Sequence, residues 1–129
     1  MAIEQRISTG NPREAAAQHG PGVVVAGRVL YTSGIVARDG DGNVVAPGDM
    51  AAQIEQVFRN LGDILEAAGT NFSHVVKYTI YVTDMGAWQA ARTAAAPYYV
   101  DKPAATLVEV SRLADPAAVV EVEAVAALD

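Results

Sequence analysis

Apolar residues recur along this chain with two different periods, which divide it into helices and strands. Between Asp49 and Gly69 they stand three or four positions apart, the spacing of one helical face. Asp49 is the predicted N-cap, because its carboxylate can accept backbone N–H groups of the first turn, and Gly69 suits the position after the last turn. The apolar positions of this helix are Met50, Ile54, Val57, Phe58, Leu61, Ile64, Leu65 and Ala68.

The segment 75–83 alternates as a strand does. Val76, Tyr78, Ile80 and Val82 form one face, and Lys77, Thr79, Tyr81 and Thr83 form the other. A second helix is predicted over 86–99, with Asp84 near its start and Pro103 beyond its end. Residues 9–22 have no clear period and are predicted as a loop. Further strands are predicted at 3–8, 23–26, 29–36, 105–112 and 119–127, with turns at 27–28 and 39–43.

Apart from the additional strand at 3–8, the order of these elements is ββ-α-β-α-ββ, which favours an α+β two-layer sandwich: a mixed sheet with two helices on one face. The other face of such a sheet stays uncovered. It is expected to carry Tyr81 and Leu107 among polar side chains. Burial of this face against copies of the same chain predicts a homo-oligomer.

Composition narrows the classes of function. A chain of 129 residues is expected to form one domain, 1–129. Its formal net charge is −6 and its basic residues are scattered, so we expect no nucleic-acid partner. No apolar stretch reaches membrane length and no secretory signal is visible, so we expect a cytoplasmic protein without a membrane partner. Cysteine is absent, which excludes thiol catalysis and cysteine-based zinc sites.

Several short motifs occur in an order and spacing that resemble the YjgF/RidA family of reactive intermediate deaminases. The resemblance spans roughly residues 21–127. It implies a chorismate-mutase-like fold and a homotrimer that binds a small molecule in each of three clefts between subunits. The motifs are the strand 29–34 ending in Ser-Gly, Gly48 and Asp49 followed by Ala52 and Gln53, the segments 65–69 and 75–77, the junction 81–85, and the two closing strands within 103–126.

The resemblance also implies a chemistry. An arginine on the family's penultimate strand holds the carboxylate of a 2-imino or 2-enamino acid, and a glutamate on the last strand helps to place the attacking water, without a metal or cofactor. Glu121 matches that catalytic glutamate, and Ser33 with Gly34 match the cleft floor. Ala105 stands in place of the arginine, and alanine cannot bind a carboxylate.

Other positions near the implied cleft also depart from the family pattern. Arg92 matches an asparagine that borders the cleft, so it is either a relocated anion anchor or a solvated helix arginine. Thr106 has a hydroxyl that can bond a ligand. Leu107 replaces a small or thiol residue, and the family's cleft tyrosine has no clear match near Gly20.

The sequence therefore favours a divergent RidA-like hydrolase of a small imine, enamine or related metabolite. Deamination of the standard 2-imino acids is expected to be slow, because Ala105 offers no cation. The alternative is a non-catalytic trimer that binds a small metabolite or a protein, and a purely structural subunit ranks last. Glu121 and Glu123 share a strand face, so they fit acid–base chemistry or a polar interface. Glu123 is expected to be structural.

Overall fold

The computed structural model describes residues 2–128 and contains a four-stranded mixed sheet, a separate two-stranded sheet and a layer of helices. The strands are β1 Ile3–Ile7, β2 Gly22–Val25, β3 Val29–Tyr31, β4 Val75–Val82, β5 Ala104–Glu109 and β6 Val120–Ala127. The helices are α1 Arg13–Ala16, α2 Met50–Ala67 and α3 Met85–Ala91, with 3₁₀ helices at Phe72–His74 and Arg92–Tyr98.

The larger sheet has the strand order β3-β6-β4-β5. Its β4 and β5 are parallel, while β3 and β4 each run antiparallel to β6. A parallel pair needs a crossover connection, and α3 with the following 3₁₀ helix supplies it. The predicted α+β architecture, a mixed sheet with helices on one face, is confirmed. The predicted N-terminal strand is also present, as β1 paired with β2.

Helix α2 begins and ends as its sequence predicts. Asp49 Oδ1 accepts the backbone N–H of Ala52 at 3.1 Å. Gly69 adopts a φ of 81°, and the N–H of Thr70 returns to the carbonyl of Leu65 at 2.9 Å, which closes a glycine C-cap. The face that includes Met50, Ile54, Val57, Phe58, Leu61 and Leu65 is buried. Its apolar area makes it the main partner of the sheet in the core.

Aromatic rings fasten the crossover to this core. Phe58 stacks on Tyr98 with ring centroids 4.8 Å apart, and it meets Tyr78 edge-on at 5.4 Å. The Tyr78 hydroxyl donates to the carbonyl of Tyr98 at 2.8 Å. Burial raises the pKa of Tyr78, so the phenol keeps the proton that makes this bond.

The predicted second helix, 86–99, is wrong in its second half. The α-helix ends at Ala91, and Arg92–Tyr98 continues as a 3₁₀ helix. Pro97 lies inside the predicted helix, where it lacks a backbone N–H and its ring crowds the carbonyl four residues earlier. The tighter 3₁₀ helix accommodates this proline. The packing of Tyr98 against Phe58 keeps the end of the 3₁₀ helix against the core.

Three other predicted boundaries also differ. The strand predicted at 29–36 ends at Tyr31, and Ile35 rejoins the sheet only by an isolated bridge to Val122. The strand predicted at 105–112 ends at Glu109. The predicted loop 9–22 contains the short helix α1, and its last residue, Gly22, begins β2. These segments are short, so the contacts that decide them are tertiary and leave no period in the sequence.

The sequence predicted Leu107 on the uncovered face of the sheet, and this prediction is wrong. It pairs with Ile80, and Ala105 pairs with Tyr78, so both side chains lie on the helix-covered face and pack against the core. The uncovered face, here called the open face, contains Lys77, Thr79 and Tyr81 of β4, Thr106 and Val108 of β5, and Glu121 and Glu123 of β6. Among residues 2–128, no helix is both long and apolar enough to cross a membrane.

Candidate active site

Glu121 and Gly34 are in close contact at one end of the open face. Val120 and Val122 are fully buried on the helix side of β6, so Glu121 between them points to the opposite side. A Cβ built on Gly34 would lie 2.2 Å from Glu121 Oε2 and 2.8 Å from Glu121 Cδ. Glycine at position 34 therefore provides the space that the carboxylate occupies.

Backbone hydrogen bonds fix the segment that carries Gly34. The N–H of Ile35 donates to the carbonyl of Val122 at 2.8 Å, and the N–H of Val122 donates back at 3.0 Å. At the other end of the segment, the N–H of Thr32 donates to the carbonyl of Ala124 at 3.0 Å. Ser33 and Gly34 bulge between these anchors and are exposed. The segment that carries Ser33 and Gly34 is therefore held against the last strand, β6.

The neighbouring glutamate makes a different contact. The Tyr81 hydroxyl donates to Glu123 Oε1 at 2.6 Å. This hydrogen bond is the main reason why the pKa of Tyr81 is raised, and burial and the charges of Glu123 and Glu121 add to it. Glu121 makes no hydrogen bond or ion pair with any described residue. Glu123 is thus held by a phenol, while the Glu121 carboxylate remains available.

A cavity of about 390 Å³ opens beside Glu121. Its lining also includes Gly34, Arg38, Asn60 and Asp115. Arg38 Nη1 lies 3.4 Å from Asp115 Oδ2, and their side chains are 45% and 28% exposed. The cavity therefore brings together the carboxylate predicted to be catalytic, a second carboxylate and a guanidinium.

The remaining predicted site residues lie elsewhere in the subunit. Ala105 and Thr106 are on the edge strand β5, with β4 between them and β6. Thr106 is on the open face, where its hydroxyl accepts a hydrogen bond from Lys77 Nζ at 2.6 Å. Arg92 begins the 3₁₀ helix of the helical layer, on the other side of the sheet from Glu121. One subunit therefore unites Glu121 with Gly34 and Ser33, but not with Ala105, Thr106 or Arg92.

Sequence reasoning missed three residues of the cavity: Arg38, Asn60 and Asp115. Arg38 follows an apolar run just before the turn at 39–43, and it forms an isolated bridge with Val44 across that turn. Asn60 lies on α2 next to the buried Leu61. Asp115 belongs to the turn before β6, where its Oδ1 accepts the N–H of Ala117 at 2.9 Å. None of the three belongs to a motif, so long-range folding alone brings them together.

The loop that lacks the family's tyrosine is fixed against the segment before β5. The N–H of Gly20 donates to the carbonyl of Pro103 at 3.1 Å. A Cβ on Gly20 would lie 2.9 Å from the Lys102 carbonyl oxygen. Lys102 Nζ in turn contacts the carbonyl of Glu14, so the two loops brace each other. Asp101 and Lys102 both adopt positive φ, 57° and 54°, a strained conformation that these contacts maintain.

Comparison with known proteins identifies the class. The sequence profile of the Endoribonuclease L-PSP family matches residues 9–128. The chain therefore belongs to this family, which is also known as YjgF/RidA. The resemblance inferred from the short motifs is confirmed.

Individual relatives agree with this assignment. A RutC family protein of Pyrococcus horikoshii is 36% identical over 104 residues, which are 80% of this chain and 82% of that protein. The 2-iminobutanoate/2-iminopropanoate deaminase of Rattus norvegicus is 36% identical over 64% of this chain and 60% of its own length. The crystal structure of the Rid-family protein YyfB of Yersinia pestis superposes with a TM-score of 0.87 at 30% identity, covering 99% of this chain and all of that one.

Proposed function

We propose that this protein is a cofactor-free hydrolase of a small imine or enamine, acting in a cleft between the subunits of a homotrimer. The observation that carries the proposal is the placement of Glu121. Its carboxylate lies against Gly34 at the edge of a cavity and makes no bond with any other described side chain. The deaminase activity in the name of the rat relative supports the same reaction class.

The proposed reaction needs one base that later acts as an acid. Glu121 accepts a proton from water as the water oxygen bonds to the carbon of the protonated imine, which gives a neutral tetrahedral carbinolamine. The same carboxyl then returns the proton to nitrogen, so that ammonia becomes the leaving group. As the C–N bond breaks, the Glu121 carboxylate takes the hydroxyl proton and passes it to ammonia or solvent, and a carbonyl compound remains. A carboxylate with no protein partner suits this cycle, because no existing bond must be broken before it takes the proton.

A second subunit is needed to complete the cleft. Ala105 and Arg92 are separated from Glu121 by the sheet of their own subunit. Residues on opposite faces of one sheet can share a ligand only when a second copy presents one face to the other. The open face supplies such a surface, since it carries Val108 and Tyr81 beside its polar groups. We therefore infer that the predicted site residues Ser33, Gly34, Arg92, Ala105, Thr106 and Glu121 converge between subunits.

Ala105 sets the expected substrate range. Position 105 offers no cation, so the protein lacks the bidentate carboxylate clamp of the family's deaminases. Loss of a buried charged anchor typically costs several kcal/mol of binding. The standard 2-imino acids are therefore expected to react slowly, unless their carboxylate is held at another point of the cleft.

The test is a matched pair of imines offered to the purified protein. An amino-acid oxidase can generate 2-iminobutanoate, and an amine oxidase can generate the imine of propylamine, which lacks the carboxylate. Ammonia release is followed in competition with semicarbazide trapping. We expect acceleration with at least one imine and none with Glu121→Gln. Absence of acceleration together with saturable ligand binding would instead establish the alternative, a non-catalytic trimer that binds a metabolite. The absence of an arginine at position 105 is the observation that favours this alternative.

A further inference from the structure

Arg38 is a cation in the same cavity as Glu121, and both come from one subunit. The two residues line the cavity of about 390 Å³, together with Asn60 and Asp115. Arg92, the cation that the sequence suggested, is not among the residues that line it. Any ligand that reaches Glu121 from this side therefore meets Arg38 without help from a second subunit.

The guanidinium of Arg38 has N–H groups that make no hydrogen bond with the described residues. Its Nη1 donates to the carbonyl of Gly42 at 2.9 Å and lies 3.4 Å from Asp115 Oδ2. Its Nε and Nη2 bond to nothing within residues 2–128. An exposed ion pair of this kind contributes little stability, so Asp115 orients the guanidinium without sequestering it. The free Nε and Nη2 edge matches the geometry of a carboxylate.

The main chain of Arg38 is held in place by α2. Asn60 Nδ2 donates to the carbonyl of Arg38 at 2.9 Å, and Asn60 Oδ1 accepts from Gln56 Nε2 at 2.8 Å. The N–H of Arg38 donates to the carbonyl of Val36 at 2.9 Å. The Arg38 side chain is therefore attached to a fixed backbone at the cavity rim. This lowers the entropy cost of ordering the segment when a ligand binds.

We propose that Arg38 determines specificity by binding the anionic group of the substrate, in place of the arginine that position 105 lacks. This inference rests on the proposed hydrolase function and names its substrate class. That class is a small zwitterion whose protonated imine lies near Glu121 and whose carboxylate lies on the guanidinium of Arg38.

The charges of the cavity fit a zwitterion better than a simple anion. Its described ionisable side chains are one cation, Arg38, and two carboxylates, Asp115 and Glu121. A zwitterionic iminium acid adds no net charge to this set. The 2-oxo acid that hydrolysis produces adds a negative one. The cavity is therefore expected to bind the substrate more tightly than the product, which favours product release.

Variants of two arginines and one aspartate, assayed with the two imines, test this assignment. Arg38→Gln should raise KM for 2-iminobutanoate about tenfold or more, the loss expected for a charged hydrogen bond, and leave KM for the propylamine imine unchanged. Arg59→Gln removes the same charge from an exposed position on α2 and should change neither value. Asp115→Asn keeps an acceptor for Ala117 but frees Arg38, so it should lower KM for 2-iminobutanoate by up to about fivefold.

The outcomes separate this inference from the proposed function. If the wild-type protein hydrolyses imines and Arg38→Gln leaves the preference between the two unchanged, Arg38 is not the anion anchor although the hydrolase proposal stands. A loss of preference in Arg92→Gln alone would transfer the role to Arg92. If the wild-type protein hydrolyses neither imine, the binding of 2-oxobutanoate, measured by calorimetry, tests whether Arg38 is the anion anchor. Weaker binding to Arg38→Gln than to Arg59→Gln supports the anchor, and equal or absent binding overturns it.

Discussion

The carboxylate of Glu121 occupies the space that a side chain at position 34 would fill, since a Cβ on Gly34 would come within 2.2 Å of Glu121 Oε2. The requirement for glycine at this position is therefore one of space, created by a residue 87 positions later in the chain. The contact joins two motifs that the sequence shows separately, the Ser-Gly strand end and the glutamate of the last strand.

Gly34→Ala tests this contact. The added methyl group should push the Glu121 carboxylate aside. Because the displaced group is the flexible end of a side chain, the free energy of unfolding should change by only about 0.5 kcal/mol. Imine hydrolysis should fall by at least about tenfold, because the displaced carboxylate no longer reaches the attacking water. Gly40→Ala is the matched control, because a Cβ at position 40 meets no atom within 4 Å. Full activity in Gly34→Ala would separate the contact from catalysis.

Assembly is the second prediction. The wild-type protein should sediment as a trimer, because the open face combines Tyr81 and Val108 with polar groups that a neighbouring copy can bury. Thr79→Arg places a long charged side chain at the centre of this face and should dissociate the trimer. Gln89→Arg adds the same charge to the exposed side of α3 and should leave it intact. A wild-type protein that remains monomeric would remove the shared cleft.

Position 105 gives a third prediction. Wild-type hydrolysis of 2-iminobutanoate should be slower than that of the rat deaminase measured side by side. Ala105→Arg should raise the rate on this substrate at least about tenfold if the new guanidinium reaches the cleft. The propylamine imine is the control substrate, and its rate should not change. Equal rates for the wild-type protein and the rat enzyme would show that the cation at this position matters less than its chemistry suggests.

The Tyr81–Glu123 pair makes a prediction about pH. The Glu123 carboxylate accepts a hydrogen bond from the Tyr81 hydroxyl, which stabilises the protonated form of the phenol. The pKa of Tyr81 therefore lies above its ordinary value. This contribution to stability is present below the ordinary pKa of tyrosine and is lost as pH rises through the raised pKa. Titration of the Tyr81 ring carbon by NMR should show that Glu123→Gln lowers this pKa. No difference between the two proteins would mean that the bond is absent in solution.

Much of the fold can be predicted from the sequence because its longest elements are strongly periodic. Asp49 and Gly69 bound α2 as local chemistry predicts, and the alternation of β4 separates the buried Tyr78 and Ile80 from the open face. The break after Tyr31 cannot be read from the sequence, since the bridge between Ile35 and Val122 decides it. The break in the second helix has a local signal, Pro97, which the helical period outweighed in the prediction.

The candidate site was only half predictable for the same reason. Glu121 and Gly34 belong to recognisable motifs, so the sequence could pair them. Arg38, Asn60 and Asp115 come from a turn, a helix and a loop that meet only in the folded chain. Leu107 was placed on the wrong face because the register of β5 against β4 cannot be read from a six-residue strand alone.

The most direct test of the proposed hydrolase function compares Glu121→Gln with Glu123→Gln in ammonia release from the imine that the wild-type protein hydrolyses fastest. Both variants remove one negative charge from the same face of β6, so they differ mainly in which carboxylate is lost. We expect at least about a 100-fold loss of rate for Glu121→Gln, the scale of a missing general base, and little loss for Glu123→Gln. Equal rates in Glu121→Gln and the wild-type protein, with both correctly folded, would contradict the catalytic role of Glu121 and the proposed function with it.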